Sequence, residues 1–253
     1  MKIAIVTGAS SGIGREFVHQ LEHFYKGLDE IWVIARREER LQELKKNAET
    51  YVRIFAGDMT EDLIYKQVLN RLENQRPNVR MLVNAAGFGK YGTVEEIAEE
   101  DKKLQLKMID LNCRGLTQMI TTCLPYMSKG SRIINLASAA AFCPQSGFAV
   151  YAASKSYVLS FSRALNEELK EREIYVTAVC PGPVQTEFFD ESGFSDSFTK
   201  ESVMVQAKGV VTQALVDSRE KKDMSVYGTL MKGAEVAAKV LPHKFVMKAM
   251  DKI

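Results

Sequence analysis

The sequence is poor in the residues from which disulfide frameworks and metal centres are built. It has four cysteines in 253 residues, and they are far apart, without a Cys-x-x-Cys motif or a Cys/His cluster. They are Cys113, Cys123, Cys143 and Cys180. We therefore expect small buried hydrophobic side chains in a reducing compartment, with neither a disulfide framework nor a metal site.

Long apolar runs and a strong net charge are also missing. The chain enters a short predicted strand, Lys2–Thr7, and then a glycine-rich turn, which leaves too little apolar length for a signal peptide. No later run is long enough to span a bilayer, so we expect a cytoplasmic protein. The net charge of +2 gives no reason to expect a nucleic acid or an acidic partner.

Composition and patterning are those of a globular protein. Hydrophobic residues make up 46% of the chain and charged residues 26%, and no repeat, low-complexity tract or linker divides residues 1–253, so we expect one domain. β-Branched runs alternate with helical patterns. The predicted strands are residues 2–7, 30–35, 51–55, 81–83, 132–137, 175–179 and 224–227. The predicted helices are one that starts near Gly12 and then residues 38–48, 61–72, 100–127, 151–172 and 203–216.

A glycine-rich turn joins the first predicted strand to the first helix. It reads Gly8-Ala9-Ser10-Ser11-Gly12-Ile13-Gly14. Glycines let the backbone approach a pyrophosphate, and the free N–H groups and positive dipole at the helix start favour its charge. The spacing Thr-Gly-x-x-x-Gly-x-Gly differs from the general Gly-x-Gly-x-x-Gly motif, and such a turn can be only a tight connection. Its position after the first strand favours nucleotide binding.

The end of the second predicted strand indicates which dinucleotide binds. A carboxylate for the ribose 2′-hydroxyl of NAD is expected about 20 residues beyond the turn, but this chain has Ala35-Arg36-Arg37. A guanidinium matches a 2′-phosphate, so the sequence favours NADP over NAD. The alternative is that both arginines are solvated charges that open the next helix. Ser11 also stands just before the middle glycine, where a second basic residue is sometimes found.

Small and polar residues follow later strands, at the sheet edge where doubly wound folds bind ligands. Asp58 and Met59 follow the third strand, and Asp58 can either cap the next helix or accept from an adenine amino group. Asn84-Ala85-Ala86-Gly87 follows the fourth strand, where nothing bulky fits against a cofactor. Cys180-Pro181-Gly182-Pro183-Val184-Gln185-Thr186 follows the sixth strand, and its prolines fix a rigid crossover.

Tyr151 and Lys155 are four residues apart on a predicted helix, so they share one face. A free phenol with a pKa of about 10 is a poor catalyst at neutral pH unless a cation favours its phenolate, and Lys155 is placed to be that cation. Alone, they can equally be an ordinary surface pair. Ser138 ends the fifth strand, so its hydroxyl can face the same cleft. Asn112 falls on an apolar stripe, where its amide needs either local backbone carbonyls or a water near the reacting centre.

The sequence resembles a short-chain dehydrogenase/reductase over residues 1 to about 217. The motifs that carry the resemblance are, in order, Thr7-Gly8-Ala9-Ser10-Ser11-Gly12-Ile13-Gly14, Asn84-Ala85-Ala86-Gly87, Asn112, Ser138, Tyr151-x-x-x-Lys155 and Pro181-Gly182. The resemblance implies a single doubly wound (Rossmann-type) α/β domain with a seven-stranded parallel sheet and helices on both faces. It also implies an NADP(H)-dependent oxidoreductase that interconverts a carbonyl and an alcohol of a small molecule. The tail is more weakly similar to a bacterial subgroup of reductases.

The resemblance implies roles for individual residues. Tyr151 would be the general acid for carbonyl reduction, Ser138 would hold the substrate oxygen, and Lys155 would bind the nicotinamide ribose and lower the pKa of Tyr151. Asn112 would hold a water that relays protons through Lys155. The expected cofactor-binding residues are Gly8, Ser10, Gly12, Ile13, Gly14, Arg36, Arg37, Asp58, Met59, Asn84, Ala85, Ala86, Gly87, Tyr151, Lys155, Pro181, Gly182, Val184 and Thr186.

Residues 187–200 are predicted to form a mobile lid over the cleft, because they are too irregular for a long helix and too aromatic for a solvated loop. The aromatic residues of the lid are Phe188, Phe189, Phe194 and Phe198, and those expected near the cleft are Phe88, Tyr91, Phe142 and Phe148. These rings favour an apolar ketone or acyl-type substrate of medium or larger size. The alternative is that they only pack the lid onto the body.

The tail, residues 230–253, is predicted to be amphipathic and basic, with Pro242 dividing it into two short segments. Its apolar residues are Leu230, Met231, Ala234, Ala237, Val240, Leu241, Phe245 and Met250. They can pack on their own chain, on a second subunit or on an anionic membrane surface. We favour protein packing and a homodimer, because two-fold dimers dominate soluble homo-oligomers.

Proteins that resemble this family can also bind NADP(H) as sensors or scaffolds without catalysis. Such a protein could discard the tyrosine, lysine or serine, whereas this chain matches the family at all four catalytic positions. We therefore favour an enzyme. Fold and catalytic set predict the reaction type rather than the particular ketone.

Overall fold

The sheet is built from short runs rich in β-branched and aromatic side chains. The structure is a computed structural model that describes residues 1–193 and 204–244. Its strands are β1 (Lys2–Thr7), β2 (Glu30–Ala35), β3 (Tyr51–Ala56), β4 (Asn78–Asn84), β5 (Arg132–Leu136), β6 (Tyr175–Val179) and β7 (Met224–Ser225). They pair in parallel in the order β3-β2-β1-β4-β5-β6-β7. The predicted seven-stranded parallel sheet is confirmed.

Helices cover both faces of the sheet. They are α1 (Gly12–Phe24), α2 (Glu38–Asn47), α3 (Asp62–Gln75), α4 (Val94–Glu100), α5 (Leu104–Ile109), α6 (Leu116–Cys123), α7 (Ala149–Glu168), α8 (Glu187–Ser192), α9 (Ala207–Arg219) and α10 (Thr229–Val240). Successive side chains of a strand point to opposite faces. Ile3 and Ile5 of β1 therefore pack with α3, α6 and α7, whereas Ala4 and Val6 pack with α1, α2 and α9. This two-sided core confirms the doubly wound α/β fold.

The predicted helix 100–127 corresponds to one continuous helical stretch that begins at Leu104, and a separate helix before it, α4, was not predicted. Thr93 and Glu96 form a capping box that starts the separate helix α4, and the backbone leaves the helical conformation at Asp101. The helical chain then resumes and passes from α5 through a π-helical segment, Asp110–Gly115, into α6. The capping box is present in the sequence as Thr-x-x-Glu, and overlooking it left α4 unpredicted.

The predicted lid and tail are only partly described. The segment predicted to be a lid begins with the short helix α8, while Phe194 and Phe198 lie outside the described residues. In the tail, α10 ends just before Pro242, as predicted. Met231 and Ala238 pack α10 onto its own chain, but much of its apolar surface is exposed. The exposed large side chains are Leu230, Val236, Val240 and Leu241. Phe245 and Met250 lie outside the described residues.

Three further features concern the described part of the chain. Its four cysteines are free thiols, three of them buried and Cys113 half-buried. Within residues 1–193 and 204–244 no group of His, Cys, Asp and Glu side chains is arranged to hold a metal ion. None of the helices in those ranges combines the length and apolar character needed to cross a bilayer.

Candidate active site

Most of the predicted site residues follow the carboxyl ends of the strands, which lie at one edge of this parallel sheet. The strand order reverses at β1, because β2 and β3 lie on one side of it and β4 to β7 on the other. In doubly wound folds the crevice at such a reversal is where ligands bind. The site is therefore expected between the turn after β1 and the loop after β4.

Close contacts and positive φ angles favour glycine at three positions of the turn after β1. Gly8 has a φ of +68°, and a Cβ on it would lie 2.8 Å from the Ala86 Cα. A Cβ on Gly14 would overlap the carbonyl oxygen of Gly8. Gly12 has a φ of +51°, and a Cβ there would lie 3.1 Å from the Thr186 Cγ2. The turn thus lies tightly against the chain after β4 and after β6.

The helix that follows this turn has an end suited to an anion. Its N-cap residue, Ser11, makes no side-chain cap hydrogen bond, and its first turn has no acidic residue. The N–H groups of the first turn, around Ile13, therefore have no side-chain cap, and the helix dipole favours negative charge beside them. A pyrophosphate fits this combination of a glycine turn and an uncapped helix start.

Arg37, rather than Arg36, contacts the glycine turn. Arg37 Nη2 donates hydrogen bonds to Ser11 Oγ at 2.8 Å and to Ser10 Oγ at 3.3 Å. Arg36 is exposed and makes no hydrogen bond or ion pair with residues in the described ranges. Arg37 thus supplies a cation next to Ser11, at the place where the sequence lacks the second basic residue.

Arg37 and Arg40 share one carboxylate. Glu187 Oε2 accepts from Arg37 Nη1 at 2.8 Å, and Glu187 Oε1 accepts from Arg40 Nη1. The two guanidinium groups therefore form an anion-binding pair at the end of β2, with a carboxylate bound to it. Sequence reasoning missed Arg40 and Glu187; the charge of Glu187 directly after Thr186 was the only available signal.

Asp58 and Met59 shape the turn after β3. Asp58 Oδ1 accepts from the backbone N and from Oγ1 of Thr60, each at 2.8 Å. The N-cap residue of α3 is instead Glu61, so of the two alternatives for Asp58 the capping role is wrong. The adenine contact stays a prediction. Met59 is buried, and its carbonyl oxygen accepts from the Tyr65 hydroxyl at 2.6 Å.

The loop after β4 is fixed to β1 through backbone donors. Ala85 N and Ala86 N both donate to Thr7 Oγ1, each at 3.1 Å. Asn84 Nδ2 donates to Asn135 Oδ1 at 2.9 Å, but the buried Asn84 Oδ1 has no hydrogen-bond partner in the described part of the chain. An unsatisfied buried oxygen is rare and fits a site completed by a bound donor.

The catalytic candidates of α7 and β5 lie together. Lys155 Nζ donates to Leu136 O at 2.7 Å and lies 5.6 Å from the centroid of the Tyr151 ring. Ser138 follows β5, its Oγ accepts from Ala140 N at 3.1 Å, and its side chain interacts with the Tyr151 hydroxyl. The structure therefore brings the predicted tyrosine, lysine and serine to one place.

Burial dominates the pKa values of this group. It raises the pKa of the Tyr151 phenol to about 12, against an opposing hydrogen bond with Ser138. It also lowers the pKa of the Lys155 ammonium to about 8. The pKa of Tyr151 is raised because a buried phenolate loses its hydration. The expected lowering of this pKa by Lys155 stays a prediction.

Asn112 faces inward, as predicted, and its side chain makes three hydrogen bonds. Its Oδ1 accepts from Phe88 N at 3.1 Å, and its Nδ2 donates to Phe88 O and to Ser154 Oγ, both at 3.0 Å. A Cβ on Gly87 would lie 2.9 Å from this Oδ1. The amide thus joins the loop after β4 to α7, which agrees with the local-backbone alternative. Sequence reasoning missed Ser154, although it directly precedes Lys155.

The segment that carries Asn112 is π-helical. Such widened turns are rare and are often found at functional sites. The side chain of Asn112 is 1% exposed, so its three hydrogen bonds are made inside the protein. The expected water relay through Lys155 stays a prediction.

Aromatic rings cover Tyr151. The ring centroid of Phe148 lies 4.3 Å from that of Tyr151, and the centroid of Phe188 lies at 5.5 Å. A Cβ on Gly89 would lie 2.9 Å from an atom of each of these three rings. Tyr151 is consequently only 7% exposed. Tyr91 extends this group, with its ring centroid 6.2 Å from that of Phe148.

The other predicted rings are placed differently. Phe88 packs against the Tyr151 group, whereas Phe142 packs against the main core on the sheet. The position of Phe142 beside the cleft stays a prediction. The side chain of Phe189 lies outside the described part of the structure.

The crossover after β6 completes the crevice. Pro181 O accepts from Ala139 N at 2.9 Å, and a Cβ on Gly182 would lie 2.6 Å from the Met231 Sδ. Val184 pairs with Val205 in a parallel bridge. This rigid crossover places Thr186, the last of its predicted cofactor residues, against Gly12.

Comparison with known proteins identifies relatives of the chain. Residues 2–195 match the family model described as short chain dehydrogenase. Sulfoacetaldehyde reductase 2 from Chromohalobacter salexigens is 31% identical over 221 residues, which cover 82% of this chain and 84% of the relative.

Solved structures share the fold. A short-chain dehydrogenase from Sphingobium yanoikuyae in complex with NADPH superposes with a TM-score of 0.78 at 25% identity, covering 94% of each chain. A 3-ketoacyl-(acyl-carrier-protein) reductase from Brucella melitensis complexed with NADH gives a TM-score of 0.76 at 21% identity, covering 89% of this chain and 95% of that one. Chains with this fold thus bind NADPH in one case and NADH in another.

Proposed function

Because the chain belongs to the short-chain dehydrogenase/reductase family, we propose that it reduces carbonyl compounds with NADP(H) and uses Tyr151 as its general acid. As a member of this family it is an oxidoreductase that interconverts carbonyl and alcohol groups with an NAD(P)(H) cofactor. The preference for NADP(H), the roles of single residues and the apolar substrate are our proposals.

The observation that carries the proposal is the arrangement of Ser138, Tyr151 and Lys155 beside the loop after β4. Gly87 of that loop lies so close that a Cβ on it would be 3.4 Å from Lys155 Nζ. The glycine turn and the uncapped start of α1 border the same crevice. A nucleotide held there would lie next to the three side chains.

The protonation states of these residues suit carbonyl reduction. A bound reduced nicotinamide would supply the hydride. With a pKa of about 12, the Tyr151 phenol keeps its proton at neutral pH and can donate it to the oxygen on which negative charge develops. The Ser138 hydroxyl would donate a hydrogen bond to the same oxygen. Below its pKa of about 8, Lys155 is a cation that would stabilise the phenolate left behind.

The proposed preference for NADP(H) is supported by the charges at the end of β2. No carboxylate follows this strand directly, and Arg37 lies against the two serines of the glycine turn. A guanidinium at this place suits a 2′-phosphate, which carries more negative charge than a hydroxyl and accepts paired hydrogen bonds. Arg36, exposed beside it, is the second candidate for this contact.

An apolar substrate is supported by the aromatic rings packed around the Tyr151 ring. Phe148 and Phe188 contact Tyr151 directly, and Phe88 and Met108 belong to the same hydrophobic group. Charged or heavily hydroxylated substrates would lose hydration at such a surface without gaining hydrogen bonds. We therefore propose a ketone or acyl-type substrate of medium or larger size.

A panel of carbonyl compounds tests this function. The purified protein is mixed with NADPH and with small charged aldehydes, sugars, or apolar ketones and acyl compounds, and NADPH oxidation is followed by absorbance. We expect turnover with the apolar compounds. Activity confined to small, charged or sugar-like carbonyls would contradict the substrate class, and NADPH binding without any turnover across the panel would favour a sensor or scaffold.

We also propose a homodimer. Exposed apolar side chains support it, namely Val236 and Val240 on α10, and Leu106 and Ile109 on α5. Light scattering on the full chain would give the mass, and a monomer at micromolar concentration would contradict this proposal.

A further inference from the structure

Glu187 is an anion bound to the arginines at the end of β2. It is the first residue of α8, and its carboxylate accepts from Arg37 Nη1 at 2.8 Å and from Arg40 Nη1. These hydrogen bonds, from Arg40 first and from Arg37 second, hold the pKa of the Glu187 carboxyl below its ordinary value. The side chain is therefore ionised at neutral pH, and each of its two oxygens binds a different guanidinium.

The Arg37 guanidinium also contacts the glycine turn after β1. Arg37 Nη2 donates to Ser11 Oγ at 2.8 Å while its Nη1 donates to Glu187. The guanidinium thus lies between the glycine turn and Glu187. The 2′ position of a dinucleotide bound on this turn is expected at the end of β2, within reach of Arg37. Carboxylate and phosphate oxygens bind a guanidinium through the same donors, so they compete for it.

We propose that Glu187 is a cofactor-selectivity residue that competes with the 2′-phosphate of NADP(H) for Arg37 and Arg40. NADP(H) has to displace the carboxylate from at least one arginine, whereas NAD(H), with a hydroxyl at this position, leaves both ion pairs in place. Glu187 therefore weakens NADP(H) binding relative to NAD(H), and it limits the preference that the two arginines confer. The inference rests on the NADP(H) preference proposed above.

Glu187→Gln tests the competition, because it removes the charge and keeps the size. Calorimetric titrations compare 2′,5′-ADP with 5′-AMP, which differ only by the 2′-phosphate, and NADPH with NADH. We expect the variant to bind 2′,5′-ADP and NADPH about three- to tenfold more tightly, since two partly exposed ion pairs no longer compete. Binding of 5′-AMP and NADH should change by less than about twofold.

Glu39→Gln is the matched control. Glu39 is exposed on α2 beside Arg40 and makes no ion pair with either arginine in the described structure, so this variant removes the same charge without freeing a guanidinium. All four affinities should stay as in the unmodified protein. Equal gains in both glutamine variants, or no gain in Glu187→Gln, would overturn the role of Glu187.

Arg37→Ala separates this inference from the NADP(H) preference. If Arg37→Ala loses the preference for 2′,5′-ADP while Glu187→Gln gains nothing, the NADP(H) preference stands and the role of Glu187 is overturned. If the unmodified protein binds 2′,5′-ADP and 5′-AMP equally and Glu187→Gln acquires a preference for 2′,5′-ADP, the role of Glu187 is supported and the native preference for NADP(H) is overturned.

Discussion

Lys155 Nζ lies 5.6 Å from the centroid of the Tyr151 ring, and both side chains are buried. Burial disfavours the charged form of each, so the pKa of the phenol rises to about 12 and that of the ammonium falls to about 8. Below about pH 8 the pair is therefore a neutral phenol beside a cation. This state has a proton to give and a charge that stabilises the anion formed.

Tyr151→Phe should remove this proton donor while keeping the ring and its packing against Phe148. We expect carbonyl reduction to fall about 10²- to 10⁴-fold, because a positioned general acid is lost, and NADPH affinity to change little. Steady-state rates and NADPH titrations check this. Tyr157→Phe on the same helix is the control. Tyr157 is 42% exposed, so this variant should leave turnover unchanged. Full turnover in Tyr151→Phe would remove the tyrosine from the chemistry.

As the pH rises, deprotonation of Lys155 should affect carbonyl reduction before deprotonation of Tyr151 does. The pKa of Lys155 is about 8 and that of Tyr151 about 12, so as pH rises the cation is lost while the phenol still holds its proton. We expect kcat/KM to be level at neutral pH and to fall above about pH 8. Lys155→Met should leave a weak activity whose profile lacks this break. A profile that stays level up to about pH 10 would contradict the role of the ammonium.

Arg37→Ala should reduce discrimination between NADPH and NADH more than Arg36→Ala does. Arg37 contacts the serines of the glycine turn, and a charge-assisted hydrogen bond to a phosphate contributes roughly 1.5–3 kcal/mol, which is about ten- to a hundredfold in affinity. Both variants remove one positive charge, so each controls for the general electrostatic effect. The ratio of kcat/KM values for the two cofactors is the readout, and a larger loss in Arg36→Ala would reverse our assignment.

The sequence predicts the strands and helices of this protein better than the side-chain contacts between distant segments. Parallel strands buried on both faces read as continuous apolar runs, which is why β2 was predicted with the bounds that the structure has. Helix periodicity located the helical stretch from α5 to α6 but missed α4, whose start is marked by the capping box of Thr93 and Glu96. Local spacing also indicated that Tyr151 and Lys155 share a face.

Contacts between distant segments could not be predicted from the sequence pattern. Glu187 and Arg37 are 150 residues apart in the sequence, and only the fold brings their charges together. The spacing of Tyr151 and Lys155 says nothing of how deeply they are buried, and burial decides the direction of both pKa shifts. The choice between Arg36 and Arg37 likewise depends on which guanidinium the turn at the end of β2 directs toward Ser11.

Gly14→Ala and Gly233→Ala should change stability in opposite directions, although both replace a glycine in a helix. Alanine normally stabilises a helix interior by roughly 0.5–1 kcal/mol relative to glycine. At Gly233 a Cβ would meet nothing within 4 Å, so that gain should appear in full. At Gly14 the Cβ would overlap the Gly8 carbonyl oxygen, and overpacking of this kind costs about 1–3 kcal/mol.

The second consequence of Gly14→Ala concerns the nucleotide. Relief of the overlap has to move either the start of α1 or the turn at Gly8, and these are the two elements proposed to bind the pyrophosphate. We therefore expect weaker NADPH binding in Gly14→Ala and unchanged binding in Gly233→Ala, because a Cβ on Gly233 would meet nothing within 4 Å. Urea unfolding and NADPH titration of both variants measure the two effects. If Gly14→Ala were as stable as Gly233→Ala and bound NADPH normally, the close approach of helix and turn would not be a requirement of the site.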